Sequence, residues 1–402
     1  MQLRIRYTEI RASNILYWGL LSVLALLVVL GLAAAHRMGV AGHHITGMDN
    51  QIVWGLPHVF AIFLIVAASG ALNLASLSSV FQREAYKPLA RFSALFAIAL
   101  LIGGLVILLL DLGRPDRLIV AMTYYNFESI FAWNILLYSG FVLIALVYLW
   151  VSMERRMHRW VKSAGWLALT WRLILTSGTG LIFGVLIARD TYAGIVLAPY
   201  FIVMSLVFGL ALSILLLHLS FSLDQRVLSN SQLDRLRSLL GKFVLILTGF
   251  AGMLHWVRLF VERSASYEQF ILFDGGIYTL LFWLVQVGIG YGLSLVLLYL
   301  PAFKSSRTAL MWACITVIVG ALGQFYVFII GGQAYPLEIF PGYDVSSRFA
   351  DGVIGAYAPS LWEWLLGLGG FATALIIALL GFRVLPILPE ILAKDPGQAT
   401  DT

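Results

Sequence analysis

The stretch that decides the fold is Ala90–Leu110, ARFSALFAIALLIGGLVILLL, which runs directly into Asp111-Leu112-Gly113-Arg114-Pro115. The apolar run has the length of about 20 residues that a helix needs to cross a bilayer. It cannot continue past Pro115, because the proline ring blocks the preceding turn of helix. Asp111 and Arg114 are three residues apart and are placed to pair across one turn as the chain leaves the lipid. The sequence therefore predicts a polar site at a membrane surface.

Composition extends this prediction to the whole chain. Of its 402 residues, 61% are hydrophobic and only 11% are charged, whereas soluble domains carry roughly 25% charged residues; the mean hydropathy is +0.92. The alternation typical of a membrane barrel is absent, so the chain is predicted to be an all-α integral membrane protein. Ten stretches qualify as transmembrane helices: 14–35, 52–77, 90–110, 130–151, 166–187, 196–219, 239–260, 277–300, 308–331 and 361–382.

The distribution of basic residues predicts the orientation. Of the 26 lysines and arginines, 18 lie at the N-terminus, in or beside the even-numbered connections and in the C-terminal tail, 7 lie on the opposite side, and Arg172 lies inside a helix. Cytoplasmic segments carry this excess, so both termini are predicted to be cytoplasmic. The same bias explains the basic charge without a nucleic-acid partner. The longest outward connection, 332–360, reads as a docking surface for an external partner.

A weak internal repeat appears when the second to fifth helices are laid on the sixth to ninth. Pro57-His58 then faces Pro199-Tyr200 near the start of each copy, and Asp111 falls opposite Glu262. The repeat predicts one membrane domain over 1–402. Within it, four-helix bundles occupy 52–187 and 196–331, and flanking helices occupy 14–35 and 361–382.

Ionisable groups inside a bilayer cost several kcal/mol and are candidates for function. Here they concentrate near the outward side. His58, one turn into the second helix, can donate to or exchange a proton with a quinone carbonyl; the competing interpretation is an interfacial histidine bonded to a loop. Asp111 and Glu128 are further candidates for proton exchange, while Asp111 with Arg114 equally suits an ion pair that ends a helix. The candidate quinone-binding residues are His58, Trp54, Arg114, Tyr124, Tyr125 and Asn126.

The chain offers no redox centre of its own. Its single cysteine, Cys314, excludes an Fe–S cluster or a cysteine zinc site within the chain. Among its histidines only His58 and His255 are plausibly level across the membrane, which disfavours a bis-histidine haem. We therefore expect no metal site, no haem and no Fe–S cluster.

These residues carry a resemblance to the NrfD/PsrC family of quinone-interacting membrane subunits. It covers nearly the whole chain and is most specific at Asp111 to Pro115, followed by the Asn-x-x-Ser element from Asn126 to Ser129. The ten-helix count and the Asn-Phe-Glu-Ser spelling are similar to the branch that contains DsrP- and HmcC-like proteins.

The resemblance implies a subunit that is not an enzyme alone but belongs to a quinone-linked oxidoreductase complex of the bacterial inner membrane. It would exchange electrons between the quinone pool, menaquinone or ubiquinone, and an extracytoplasmic [4Fe–4S] ferredoxin-like subunit. In the sulfur-metabolism branch the complex, DsrMKJOP, adds a multihaem cytochrome c, a membrane cytochrome b and a cytoplasmic Fe–S subunit. In the polysulfide reductase branch the quinone is held by a histidine, matched here by His58, and by an asparagine one turn earlier, where this chain has Trp54 and Asn50 is the alternative. A tyrosine assists there, with Tyr124 and Tyr125 as approximate matches.

Two other classes remain open from the sequence. A transporter or proton-translocating protein also suits tandem repeats and buried charge; it requires a wet path from the outward site towards Arg172, Lys242 or Gln286. The other alternative is a structural anchor that binds no quinone.

Overall fold

The computed structural model describes residues 5–11, 15–186, 189–192, 194–226, 228–336 and 353–390. Within these ranges it contains ten helices long and apolar enough to cross a membrane, as the sequence predicts. Most of the 332–360 connection lies outside the described residues. We number the helices in chain order: α1 Ile15–Ala41, α2 Leu56–Ser79, α3 Glu84–Leu110, α4 Ile130–Met153, α5 Arg155–Gly184, α6 Leu197–Leu223, α7 Asn230–Leu259, α8 Ile277–Tyr299, α9 Arg307–Ala334 and α10 Leu361–Val384.

Several helices begin at residues other than those at which their apolar runs begin. Helices α5 and α7 begin 11 and 9 residues before the predicted starts at residues 166 and 239, because their first turns carry polar and charged residues that a hydropathy window rejects. Ser229 supplies the missing start signal for α7, since its side chain accepts from the Gln232 N–H. Helix α2 begins later than predicted, at Leu56, with Pro57 in its first turn.

Helix α2 lies at the centre of the molecule, and its most apolar 18-residue window is entirely buried. It packs against α3 on one side and α6 on the other. The crossing with α6 depends on glycine: a Cβ on Gly70 would lie 1.6 Å from the Ser205 carbonyl oxygen, and one on Gly209 would lie 2.1 Å from the Ala71 nitrogen. Small residues let two backbones approach in this way inside a membrane.

Helices α1 and α10 pack mainly against each other, and α10 also packs on α2 and α3. A short antiparallel strand pair, β1 Tyr7–Thr8 with β2 Leu388–Pro389, joins the two ends of the described chain. Both therefore lie at the same end of the bundle, which we call the proximal face; the opposite end is the distal face. The assignment of the proximal face to the cytoplasm and the division into two four-helix bundles stay predictions.

The two halves of the chain differ in helical geometry. Three π-helical segments lie among the described residues, at Phe270–Asp274, Leu281–Leu293 and Tyr326–Gly331. All three belong to the second half. Such widened turns are rare in proteins and occur frequently at functional sites.

Candidate functional site

Three titratable residues meet on the distal face around Asp111, which caps the C-terminus of α3 and donates its N–H to the Ile107 carbonyl at 2.9 Å. His58, in the first turn of α2, places Nδ1 3.1 Å from Oδ2 of Asp111. His43, in the turn after α1, places Nε2 3.0 Å from the Asp111 carbonyl oxygen and 3.8 Å from Oδ1. We call Asp111, His58 and His43 the Asp111 cluster.

The charge of this cluster follows from its contacts. Burial by itself raises the pKa of Asp111, but the contacts of its carboxylate with His43 and His58 outweigh burial and hold that pKa below its ordinary value. The contact with Asp111 in turn raises the pKa of His43, against the lowering effect of partial burial. Asp111 is therefore an anion at neutral pH, and His43 keeps its proton to a higher pH than a free histidine does.

Two atoms of the cluster retain bonding capacity. Nδ1 of His58 and Oδ1 of Asp111 are buried and have no hydrogen-bond partner: Nδ1 lies 3.1 Å from Oδ2 without hydrogen-bond geometry, and Oδ1 lies 3.8 Å from Nε2 of His43, too far for a hydrogen bond. The His58–Asp111 contact is thus a close approach of a ring nitrogen to a carboxylate oxygen rather than a formed hydrogen bond. Within Leu56–Ala71, the first part of α2, His58 is the residue that is not buried. Its ring stacks near Trp54, with centroids 6.2 Å apart.

Arg114 does not join the cluster, so the predicted Asp111–Arg114 pair is wrong. Its Nη2 lies 2.9 Å from Oδ2 of Asp116, and both side chains are exposed. The physical reason is the break in the helix at Asp111: the backbone leaves the α region at Arg114 (φ −137°, ψ 72°), so the i, i+3 spacing no longer places both side chains on one face.

The segment after Pro115 is brought close to the cluster only in part. Tyr124 is 83% exposed, and Glu128 is exposed as well. Tyr125 donates its hydroxyl to the Ala132 carbonyl, while Asn126 Oδ1 accepts from the Glu128 N–H at 3.0 Å. These bonds shape a turn before α4. Phe131, at the start of α4, reaches the Trp54 ring with centroids 6.4 Å apart.

A clamp that the sequence did not reveal fixes the backbone just before α2. Gln333, at the distal end of α9, accepts from the N–H groups of Val53 and Trp54 at 3.0 Å and donates to the Trp54 carbonyl at 2.9 Å. Arg189 donates to the carbonyl oxygens of Gln333 at 2.6 Å and Gln51 at 2.8 Å. The clamp positions His58 because it fixes the chain one turn upstream. Neither side chain has a local pattern that distinguishes it from any other polar residue.

Glu363 joins three chain segments on the same face. It is fully buried, and its Oε2 accepts from the Gly47 N–H at 2.9 Å and from the Ser360 N–H at 2.7 Å. The Tyr357 hydroxyl donates to Oε1 and accepts from the Leu56 N–H at 2.7 Å; burial, and then Glu363, raises the pKa of Tyr357 far above its usual range. Here the sequence carried a readable signal, because Ser360-Leu361-Trp362-Glu363 has the spacing of a capping box.

The second half of the chain builds a different cluster at the same level. Glu268 is fully buried; its Oε2 lies 2.7 Å from Nδ1 of His255 and its Oε1 lies 3.2 Å from Nη1 of Arg258. Arg258 also donates to the Thr191 carbonyl at 3.1 Å. We call Glu268, His255 and Arg258 the Glu268 cluster. Glu262, which the repeat aligns with Asp111, has a side chain outside the described residues.

Arg172 lies in the interior of the first half and is 3% exposed. It donates to the Asn73 side chain at 3.0 Å and to the Ser69 carbonyl at 3.4 Å. It thus pairs between α5 and α2. Among the described residues, no three or more His, Cys, Asp or Glu side chains are grouped to hold a metal ion.

The fold and this site define a ten-helix membrane protein with a carboxylate–histidine cluster where helices meet at one membrane surface. Residues 44–336 match the family described as "Polysulphide reductase, NrfD", and the chain belongs to that family. The match begins beside His43 and ends three residues after Gln333, so it contains His58, Asp111 and the clamp.

Three relatives match this chain over almost their full length. The chain is 27% identical to the "Hdr-like menaquinol oxidoreductase integral membrane subunit" of Archaeoglobus fulgidus, over 96% of this chain and 97% of that protein. It is 27% identical to a putative dimethyl sulfoxide reductase membrane subunit of Halobacterium salinarum, over 95% and 94%. It is 22% identical to the "Menaquinone reductase, integral membrane subunit" of Nitratidesulfovibrio vulgaris, over 90% and 89%.

Proposed function

We propose that this chain is the quinone-interacting membrane subunit of a redox complex, and that the Asp111 cluster is its quinone site. The observation that carries the proposal is the position of Asp111, a buried carboxylate between His43 and His58. His58 is also the residue that is not buried in the first part of α2, Leu56–Ala71. The printed names of two relatives, a menaquinol oxidoreductase subunit and a menaquinone reductase subunit, support the same class of ligand.

The residues present fit a quinone headgroup. A quinone carbonyl needs a donor and a quinol hydroxyl needs an acceptor; a histidine ring and a carboxylate oxygen with spare capacity supply both. His58 and Asp111 would hold the oxygen, and Trp54 would supply an aromatic face. Trp54 lies one turn before His58, where the resemblance implies an asparagine, but it packs its ring near His58 and its backbone groups are bonded to Gln333. When bound, a quinol supplies two electrons and two protons.

The chain's own residues account for the proton. Nδ1 of His58 faces Asp111, so Nε2 is the ring atom left to exchange a proton with the ligand. Asp111 orients the ring and stabilises the imidazolium that forms, since an anion at 3.1 Å favours the charged ring. His43 is 33% exposed at its side chain and touches the same carboxylate. It connects the cluster to water at the distal face.

The electron partner follows from the predicted orientation. With the distal face outside, an extracytoplasmic [4Fe–4S] ferredoxin-like subunit would dock beside the Asp111 cluster. The exposed segment Leu118–Thr123 and the exposed rings of Tyr124 and Phe127 support such a contact, since they form an apolar surface that the described parts of this chain leave uncovered. We also propose that the chain belongs to the sulfur-metabolism branch, whose complex adds a multihaem cytochrome c, a membrane cytochrome b and a cytoplasmic Fe–S subunit. It is tested by identifying the proteins that copurify with the chain.

The decisive experiment replaces His58 with Gln in the intact complex. The substitution keeps the size of the side chain but removes the exchangeable ring proton, so quinol-dependent electron transfer should fall about 100-fold, the effect of losing one positioned acid–base group. Turnover is measured with menaquinol and ubiquinol analogues, and His44→Gln, an exposed neighbour, is the matched control. Unchanged turnover in the His58 variant, with the complex assembled, would refute the assignment.

The alternative function, a structural anchor, leads to a different expectation for the quinone content of the purified protein. It would yield purified protein without bound quinone in the wild type. Extraction of the complex with organic solvent, followed by chromatography of the lipids, should instead give quinone in stoichiometric amount and much less in the His58 variant.

A further inference from the structure

A small cavity lies inside the second half of the molecule, below the Glu268 cluster. The volume open to the centres of water molecules is about 30 Å³, enough for about two waters. This is far below the several hundred Å³ that a quinone headgroup requires. Water is therefore the ligand of suitable size.

The polar lining meets the second requirement for water. His255, Arg258 and Tyr267 line the cavity together with Tyr200, Gln286 and Gln324. A buried water makes about three hydrogen bonds, and cavities without polar groups stay empty. This cavity offers donors and acceptors from several helical segments.

A string of hydrogen bonds runs along the deep side of the cavity. The Gln286 amide donates to the Tyr291 hydroxyl at 3.1 Å, which donates to Gln324 Oε1 at 3.1 Å. The Gln324 amide donates to the Tyr200 hydroxyl at 2.6 Å and contacts Met204 Sδ at 2.9 Å. Each of these buried groups thus has a protein partner, and the string joins α8, α9 and α6.

The π-helical segments lie around the same cavity. Each of the three π-helical segments among the described residues contributes to the lining, through Ile271, Phe282 and Gln286, and Val327 and Phe328. A π turn shifts the register of the side chains that follow it. That all of them surround one cavity indicates that the widened turns serve the site.

We propose that the Glu268 cluster and this cavity form a hydrated proton-binding site in the second half of the molecule, separate from the Asp111 cluster. One proton adds to Nε2 of His255 while Nδ1 stays directed at Glu268, so imidazole becomes imidazolium and no other bond changes. The cluster passes from zero net charge, with Arg258 and Glu268 compensating each other, to plus one. The fixed carboxylate at 2.7 Å compensates that charge at a position where the side chain is only 20% exposed.

Side chains from several helices surround His255. Phe282 of α8 meets the ring edge, with centroids 4.9 Å apart, and is uncharged. Among the described side chains, the groups around His255 and the cavity that carry charge, titrate or hydrogen-bond are Arg258 on the same helix, Glu268 and Tyr267 on Glu262–Gln269, Tyr200 on α6, and the amides Gln286 and Gln324 on α8 and α9. Glu268 is the anion among them, and its second oxygen is already neutralised by Arg258.

Hydroxyl-radical footprinting tests the hydration. Met204 and Met38 are each 1% exposed, but only Met204 lines the cavity. Internal water delivers radicals, so Met204 should be oxidised roughly tenfold faster than Met38 in the wild-type complex. Val327→Phe should fill the cavity and remove the difference; Ile271→Phe is a second filling variant should the first not fold. Equal oxidation of both methionines in the wild type would overturn the proposal.

Proton uptake tests whether His255 takes up the proposed proton. Acidifying weakly buffered complex from pH 8 to pH 5 should load about one proton fewer per chain in His255→Gln than in the wild type. The exposed His36 provides His36→Gln as a check that the assay detects one histidine. Equal uptake by His255→Gln and wild type, with a normal His36 result, would show that His255 takes no proton. Neither measurement depends on quinone turnover, so both stand if the proposed function fails.

Discussion

The two halves of the chain each place a buried carboxylate at the distal face, but they give it different partners. Asp111 contacts two histidines, and both rings are partly exposed. Glu268 contacts one histidine and one arginine and is itself fully buried. The first anion lies between two partly exposed histidines, whereas the second is neutralised by a buried arginine and contacts one histidine, whose side chain is 20% exposed. The repeat aligns His58 with Tyr200, which lines the cavity of the second half. Related positions thus acquire different chemistry through their partners.

The largest expected effect comes from removing Glu268. Glu268→Ala leaves Arg258 buried without its anion, which typically costs about 3–5 kcal/mol. The thermal unfolding midpoint of the purified protein should fall sharply, while the exposed Glu128→Ala leaves it unchanged. Adding Arg258→Met to Glu268→Ala should recover part of the loss. A double variant no more stable than the single one would mean that charge compensation is not the reason.

Asp111→Asn should instead act on turnover. The amide keeps the shape of the side chain but cannot stabilise an imidazolium, so quinol-dependent electron transfer should fall about 100-fold. The unfolding midpoint should change far less than in Glu268→Ala, because the removed charge strands no buried arginine. Asp116→Asn is the matched control, since that carboxylate is exposed and pairs only with Arg114 among the described residues. The comparison fails if the Asp111 variant loses stability as the Glu268 variant does.

The pH dependence of stability tests the Asp111 cluster of the first half. His43 has a raised pKa and Asp111 a lowered one. The His43 contribution is therefore complete below the ordinary histidine pKa of about 6.5 and is lost as pH rises through the raised value. The Asp111 contribution is complete above the ordinary aspartate pKa of about 3.9 and is lost as pH falls through the lowered value.

The Asp111 cluster should accordingly stabilise the protein most between about pH 4 and 6.5. Unfolding midpoints of wild type and His43→Gln, followed from pH 5 to pH 9, should differ most at the acid end and converge at the alkaline end. A constant difference across this range would contradict the linkage.

The smallest expected effect is that of Arg114→Ala. Arg114 is exposed and pairs with Asp116 on the surface, where ion pairs contribute little. Both the unfolding midpoint and quinol turnover should match wild type. Loss of turnover here, with quinone still bound, would instead indicate that Arg114 contacts the external redox partner.

Much of the fold could be predicted from the sequence, because a bilayer demands long apolar helices and leaves few alternatives. The ten helices were predicted in number and in order, and errors fell at ends such as Asn230, where polar turns extend a helix beyond its apolar run. His58 and Asp111 could be selected because they are costly in lipid, and the structure brings them together.

The remaining site residues depend on long-range contacts. His43 meets Asp111 across 68 residues, and Gln333 meets Trp54 across 279; a single sequence has no local signal for such pairs. The Asp111–Arg114 pairing was wrong because it assumed that the helix continues to Arg114. Glu268 was not singled out, since an acidic residue in a connection is usually solvated, and here the chain folds back to bury it.

The pairing of α1 with α10 has a consequence for biosynthesis. The two helices approach at glycines, where a Cβ on Gly31 would lie 2.9 Å from the Gly369 Cα, and α10 is the principal helix partner of α1. Helix α1 leaves the ribosome before α10 and therefore waits in the bilayer until α10 is inserted. A chain released early, before Leu361, leaves α1 without its partner and β1 without its second strand.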